Sequence, residues 1–474
     1  MNKEKLKKIF IILITIFAAF VVSFYFLAED QLRYKNSANN IIMPDADSIT
    51  PEITNKVVIE QTFTNNIDII NHLEIVFTKF YRQGSGYLTI QLLDGENVLL
   101  SKVLDVREIP EQHRVYVDAT KPLENMRNKE LTIKVSSTSK EDFGAAIMMR
   151  KEGVDNTSII KINDDTIAGQ LCFSLIGNDY IVVGRYYWLI MGCVGLALGL
   201  LLFISYRKYT KGRINYIVSA LLAVDKYSFL ISQLVIRDFK SKYKRSILGI
   251  FWSFLNPLLT MTVQFLVFST FFSADTKNYP IYLLTGVIFY SFFNECTTMC
   301  LSSISGNANL ITKVYVPKYI FPLARAISSS VNLFISIVPL LLGCLVLGVV
   351  IKPQFILFLY FVICLMIFAL GIGLFLSALM VFFRDIQFLW TVIIQIWQYA
   401  TPIFYPAEII PDKYRFILVL NPIYHFIGNA RTCIMNGVSP EPRSYIFCLL
   451  FALLSLFIGA FTFKKTQDRF ALYL

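Results

Sequence analysis

Apolar positions along this chain fall into long charge-free runs. They cover Ile9 to Ala28, Tyr186 to Tyr206, Ser246 to Ala274, Ala326 to Ile351, Pro353 to Phe383, Ile386 to Ala407 and Ser444 to Phe463. About 20 helical residues cross the ~30 Å hydrocarbon core of a bilayer, so each run predicts a spanning helix. A further run, Asn278 to Ser303, holds one charge, Glu295, and is counted as a span too. Between the first two runs the period changes from helical to two. Leu88, Ile90 and Leu92 alternate with Tyr87, Thr89 and Gln91, Asp94-Gly95 turns the chain, and Val98 to Val103 follows, which is a hairpin signature. Leu131, Ile133 and Val135 alternate likewise.

These patterns predict a polytopic α-helical membrane protein with eight spans, two plus six. A β-sandwich of jelly-roll type is inserted between the first two spans. Residues 1–28 form the first span, 29–185 the sandwich, 186–206 the second span, 207–246 a basic linker with an interfacial helix, and 247–474 a six-span core. The first run is read as a retained anchor, because no small-x-small cleavage site precedes Glu29.

Composition agrees: 55% of the residues are apolar and 16% charged, outside the range of soluble domains. Charge adds an orientation. Between Ala28 and Arg185 lie 23 of the 33 acidic residues, while Lys3, Lys5, Lys7 and Lys8 precede the first span and Arg207, Lys208, Lys211 and Arg213 follow the second. Positive flanks stay inside. Both termini are therefore expected in the cytosol and residues 29–185 outside. Cys172 alone lies in the outer segment, so no disulfide framework is expected there.

Residues 214 to 236 are nearly apolar enough to span, but Asp225 and Lys226 interrupt them, and an amphipathic helix on the inner membrane surface is expected instead. The run Arg237, Lys240, Lys242, Lys244 and Arg245 follows it. It either holds orientation against anionic headgroups or draws a phosphate-bearing lipid headgroup to an entrance; both use the same electrostatics. Residues 306–318, GNANLITKVYVPK, are short, helix-compatible and polar between two spans, suited to docking a soluble partner. Residues 405–440 contain Pro406, Pro411 and Pro422, and their charge-free part is too short to cross, so they are expected to re-enter.

The blocks RDFKSKYKRSILGIFWSFLNPLL, GNANLITKVYVPKYIFPLA, FFRDIQFLW and ATPIFYPAEIIPDKYRFILVLNP, in this order over residues 214–474, resemble the permease subunit of ABC exporters for lipid-linked polysaccharides, O-antigen or capsule, and teichoic acids. The departure is residues 1–212, since such permeases typically have six spans and no large outer domain. The resemblance implies a homodimer with two copies of a separate ATPase that holds ATP and Mg, moving an undecaprenyl-type lipid-linked glycan outward across a bacterial plasma membrane. It makes 306–318 the coupling helix, with Asn307, Asn309, Leu310, Lys313, Tyr315 and Pro317 meeting the ATPase. It also places Trp397, Tyr399, Tyr405 and Tyr424 beside the exit, with Phe251 and Trp252 near the entrance; an interfacial aromatic belt is the plainer reading.

No GxxxxGK[ST] loop is present, so ATP chemistry is expected in another polypeptide and no cofactor in this one. His72, His113 and His425 are scattered, without metal spacing or a nucleophile partner. A membrane glycosyltransferase acting on lipid-linked sugar, or an ABC exporter of another amphiphile, is the rival reading, and a membrane-anchored sugar sensor a third. Nothing suggests nucleic acid. Two further expectations concern single residues. Glu295 and Arg325 both fall roughly 12 to 17 Å inward from the same loop and are expected to pair. In the outer domain Tyr81, Tyr87, Tyr116 and Phe143 either stack on sugar rings or are ordinary sandwich aromatics.

Overall fold

The computed structural model describes residues 3–40, 46–80, 82–109, 113–151, 159–163, 165–244, 247–272, 278–313 and 316–473. They divide into two units, one of residues 33–186 and one of residues 1–32 with 187–474.

Residues 33–186 form two antiparallel sheets. The chain order is β1 (Tyr34–Asn40), β2 (Ser48–Ile49), β3 (Ile59–Thr64), β4 (Ile69–Thr78), β5 (Tyr87–Asp94), β6 (Asn97–Asp105) and β7 (His113–Leu123). Then come β8 (Glu130–Ser137), β9 (Ala146–Arg150), β10 (Ile159–Ile162), β11 (Asp165–Ala168), β12 (Gln170–Leu171) and β13 (Phe173–Tyr180). One sheet has the order β1-β13-β4-β9-β12 with β2 on β9 and β7 on β4; the other runs β11-β10-β3-β8-β5-β6. The expected hairpin is β5 with β6, and Gly95 sits in its turn at φ 61°, where a side chain would be strained. The alternating residues Leu88, Ile90, Leu92, Leu131, Ile133 and Val135 meet Leu73, Ile75, Phe77 and Leu175 of the other sheet in one buried core.

Arg127 ties the ends of this unit together. Its guanidinium lies 3.0 Å from Asp68 and 2.9 Å from Asp179. Partial burial works to raise the Asp179 pKa, but hydrogen bonds from Ser37, the Asp68 backbone N–H and Arg127 outweigh it and hold the carboxyl below the usual value. A depressed native pKa contributes stability that is present above the unfolded pKa of about 3.9 and lost as pH falls through the native one. Arg127→Gln is therefore expected to lower the melting temperature of the sheet-rich unit at pH 7. The gap from wild type should shrink below about pH 4, which circular dichroism melts across pH would read.

The helices are α1 (Lys3–Arg33), the short α2 (Val182–Arg185), α3 (Tyr187–Thr210), α4 (Tyr216–Tyr243), α5 (Phe251–Phe272), α6 (Tyr279–Leu301) and α7 (Ala308–Lys313). They continue with α8 (Ile320–Val346), α9 (Phe358–Phe382), α10 (Ile386–Ala400), α11 (Arg415–Leu420), α12 (Pro422–Arg431), α13 (Pro442–Thr466) and α14 (Phe470–Tyr473). Among the described residues, six helices are long and apolar enough to cross a bilayer: α1, α3, α5, α8, α9 with its preceding turn, and α13. The other two expected spans do not meet that test. At 15 residues α10 is about 22 Å long, too short for the core, and α6 carries Asn294, Glu295 and Thr297.

Small residues bring α9 and α13 together. A Cβ on Gly371 or Gly459 would collide with the facing backbone, and Ser455 donates to the Phe368 carbonyl at 2.9 Å. The first two long helices are held by aromatic contacts: Tyr187 donates to the Val21 carbonyl at 2.7 Å, and Phe24 meets Tyr445 edge-on at 4.9 Å. At the other end of α1, Lys5 pairs with Asp225 of α4 at 2.5 Å.

Candidate functional site

The polar loop folds as a 3-10 turn, Ser305–Asn307, leading into the six-residue α7. Asn309, Leu310 and Lys313 are exposed on it and Pro317 is half-buried; Tyr315 lies outside the described residues. Asn307 departs from expectation. Its side chain is buried, donating to the Ser303 carbonyl at 2.7 Å and accepting from Arg237 at 3.2 Å, so its amide is spent inside the protein and not offered to a partner. Lys318 closes the loop by donating to the Gln467 carbonyl at 2.5 Å.

Arg237 leads inward to Asp238, the one acid within the basic run. Asp238 has a buried carboxylate, 3.3 Å from Arg237 and 3.1 Å from Arg325 of α8. One turn further along α4, Lys242 reaches Glu295 of α6 at 2.7 Å, and Asn332 of α8 donates to the same oxygen at 2.6 Å. The expected Glu295–Arg325 pair is thus not formed, and each takes a partner from α4. Linear spacing measured depth for α6 and α8 but ignored α4, which packs against α8 and reaches α6 through Lys242. The i, i+4 relation of Asp238 and Lys242 puts both acid and base on the same face. That spacing was the available signal. Lys240 and Lys244 are exposed, and Arg245 lies outside the described residues.

Two cavities flank these pairs. The larger, about 570 Å³, is bordered by Arg237, Asp238, Arg325, Gly306 and Asn307. The smaller, about 160 Å³, is lined by Trp252, Asn256, Thr260, Ser291, Asn332 and Ser336 among others. Lys242 and Glu295 line both, and among the described residues they are the shared ones. Ionisable side chains on apolar helices normally turn toward a partner or a cavity, and here Glu295 and Arg325 each face both.

The segment after α10 is broken into short turns, then α11 and α12. Asn421 caps α12 by accepting from the Ile423 and Tyr424 N–H groups, accepts from Trp397 Nε1 at 2.9 Å and donates to Thr401 at 2.8 Å. Trp397 is therefore a brace for the cap. Tyr405 donates to the Tyr399 carbonyl at 2.7 Å, Tyr399 is exposed and Tyr424 is half-buried. Phe251 and Trp252 are exposed at the start of α5. Sequence reasoning missed Arg431, whose buried guanidinium donates to the carbonyls of Tyr282, Pro402 and Ile403 at 2.8 to 3.2 Å.

The outer-domain aromatics do not form one platform. Tyr87 stands on β5 of one sheet and Tyr116 on β7 of the other, both exposed; Phe143 is exposed in a turn, and Tyr81 lies outside the described residues. Tyr116 has the richer surroundings. Glu74 is opposite it in register, lies 3.0 Å from Arg114 and 3.5 Å from His72, and the His72 and Tyr116 rings are 6.0 Å apart.

Comparison with known proteins places this arrangement. The profile of ABC-2 type transporters matches residues 230–435, which span the basic end of α4 through α12. The O-antigen export system permease protein RfbA of Klebsiella pneumoniae is 30% identical over 237 residues, covering 50% of this chain and 91% of its own. Its namesake from Myxococcus xanthus is 27% identical over 248 residues, 52% and 95% of the two chains. The polysialic acid transport protein KpsM of Escherichia coli is 22% identical over 241 residues, 50% and 93%. The chain belongs to the ABC-2 type transporter family, as a helical, multi-pass membrane permease.

Proposed function

We propose that this chain is the membrane subunit of an ATP-driven exporter that moves a lipid-linked polysaccharide or teichoic acid precursor from the cytosol to the outer face of a bacterial inner membrane. The observation that carries the reading is the side-chain line from the exposed loop inward, Asn307 to Arg237 to Asp238 to Arg325, beside the larger polar cavity. A loop that only turned the chain would not need to be bonded to two other helices. A loop that receives a push would.

In this reading α7 seats in a separate ATPase that binds ATP and Mg, with Leu310 as apolar anchor and Asn309 and Lys313 as polar contacts. Two copies of the chain with two ATPases enclose the path, eight helices per copy cross or enter the membrane, and both termini face the cytosol. The basic end of α4 admits the phosphate-linked lipid by charge, and Trp397, Tyr399, Tyr405 and Tyr424 border the exit. The sheet-rich unit lies outside, where Tyr116 offers a ring face for a pyranose and the Arg114–Glu74 pair offers donors and acceptors for hydroxyls.

The test is affinity purification from cells that also produce a candidate partner ATPase. Wild type should bring the ATPase down and support appearance of surface glycan. Leu310→Ala with Lys313→Ala should weaken that association by about 10- to 30-fold, the range of lost interface anchors. A stable permease that retains no ATPase, or the loop variant exporting normally, overturns the proposal.

A further inference from the structure

The Lys242–Glu295 pair occupies a particular place: it is the shared wall of the two cavities, one reaching the loop helix and the other reaching up between α5, α6 and α8. The larger cavity has three cations on its wall, Arg237, Lys242 and Arg325, against two acids, Asp238 and Glu295. Each cation is already engaged with an acid. An incoming group that takes one of them must therefore compete with a carboxylate, and a group bearing two negative charges competes best.

We infer that Lys242 and Glu295 form a gate that a phosphoryl group opens, with the larger cavity as its binding site and the smaller one as the space it enters next. The step deepens the export reading and rests on it. A phosphate or pyrophosphate group enters beside Arg237 and Arg325, and Lys242 turns from Glu295 to it. Asn332 still donates to the Glu295 carboxylate and keeps it against α8, clear of the anion. The way to Trp252, Asn256 and Ser291 then opens. Without a phosphoryl group the pair stays closed, which keeps neutral lipids and solutes from the polar cleft. Glu295 thus sets selectivity by being displaced, and Lys242 by binding.

The shared chemistry, a phosphoryl dianion, could arrive on a lipid or free in solution, and the experiment separates the two. The detergent-purified complex with its ATPase is labelled with 5-fluorotryptophan, and the Trp252 resonance is assigned through Trp252→Phe. It is titrated with undecaprenyl phosphate in mixed micelles, with inorganic pyrophosphate, and with phosphate-free micelles. The expected result is a saturable Trp252 shift with the lipid, a weaker one with pyrophosphate and none with empty micelles. Lys242→Gln should weaken lipid binding at least about tenfold, Lys242→Arg should retain it, and Glu295→Gln should tighten it about fivefold by removing the competitor. An unchanged resonance of Trp390, buried against Phe293 and donating to Thr297 of α6, reports that the helix core of each variant is folded. Pyrophosphate binding as tightly as the lipid would make the free anion the gate's ligand, whereas an unaffected Lys242→Gln or weaker binding in Glu295→Gln would each overturn the gate. Export and ATPase association are read separately in the purification assay, so a failed gate with intact export leaves the broader reading standing.

Discussion

Arg431→Met is expected to leave little folded permease in the membrane, the largest stability effect of any single change in the broken segment after α10. The chain breaks after α10, and the carbonyls of Pro402 and Ile403 have no helix to bond them; Arg431 supplies their donors at 2.8 Å each and also reaches the Tyr282 carbonyl. The guanidinium lies 3.3 Å from the centre of the Tyr282 ring. Methionine fills the volume but donates nothing, so the Ile403 carbonyl loses its donor in an apolar setting and the Pro402 carbonyl keeps only the Tyr282 hydroxyl at 3.3 Å. The orphaned carbonyl costs about 1–3 kcal/mol, and the loss of the charge-assisted bonds adds to it. Arg431→Lys should fail nearly as badly, because one ammonium cannot reproduce a planar fork that serves three acceptors. Gly286→Ala should show a milder form of the same defect, since its Cβ would approach Arg431 Nη2 to 2.7 Å. Fluorescence-detected size exclusion after graded heating reads all three; a wild-type melting temperature in Arg431→Met would mean that water or lipid can serve those carbonyls.

Asp238→Asn is expected to do something different: preserve ATP hydrolysis by the partner while stopping export. The carboxylate is almost fully buried and balances Arg237 and Arg325. An amide of the same shape keeps the packing but leaves two cations facing each other. Removing one partner of a buried ion pair costs about 3–5 kcal/mol, here lessened because Arg237 is half exposed. Helices α4 and α8 should separate at this point, and motion of the loop helix would reach Arg237 and go no further. The measurement is glycan exported per ATP hydrolysed in reconstituted vesicles, expected to fall at least about tenfold, since a loss of ~1.4 kcal/mol in coupling is already tenfold. Exchanging the charges, Asp238→Arg with Arg325→Asp, should restore part of it. An unchanged ratio in Asp238→Asn would remove the side-chain line from the coupling mechanism.

Much of this was legible in order along the chain. Strict alternation around Asp94-Gly95 predicted the β5–β6 hairpin, because a period of two leaves one face to bury and the turn residue sets the register. The blocks in residues 214–474 carried the family resemblance, and the comparisons place the chain in that family. The ion pairs were not legible. Glu295 and Arg325 were matched by depth, yet α4 lies alongside both and supplies Lys242 and Asp238. Asn307 was expected to contact a partner because the family resemblance assigns the loop to one, and it proved to be an internal tie. Arg431 gave no signal at all, since its acceptors are carbonyls about 30 and 150 positions away in the chain, and backbone groups are the same in every sequence.

The sequence by itself determined which segments prefer an apolar solvent, which alternate as strands and where the charge lies, because burial and periodicity act locally along the chain. Only the tertiary structure decided which charge answers which. A buried ion takes the nearest opposite charge in space, and here that neighbour comes from α4, which supplies Lys242 to Glu295 and Asp238 to Arg325.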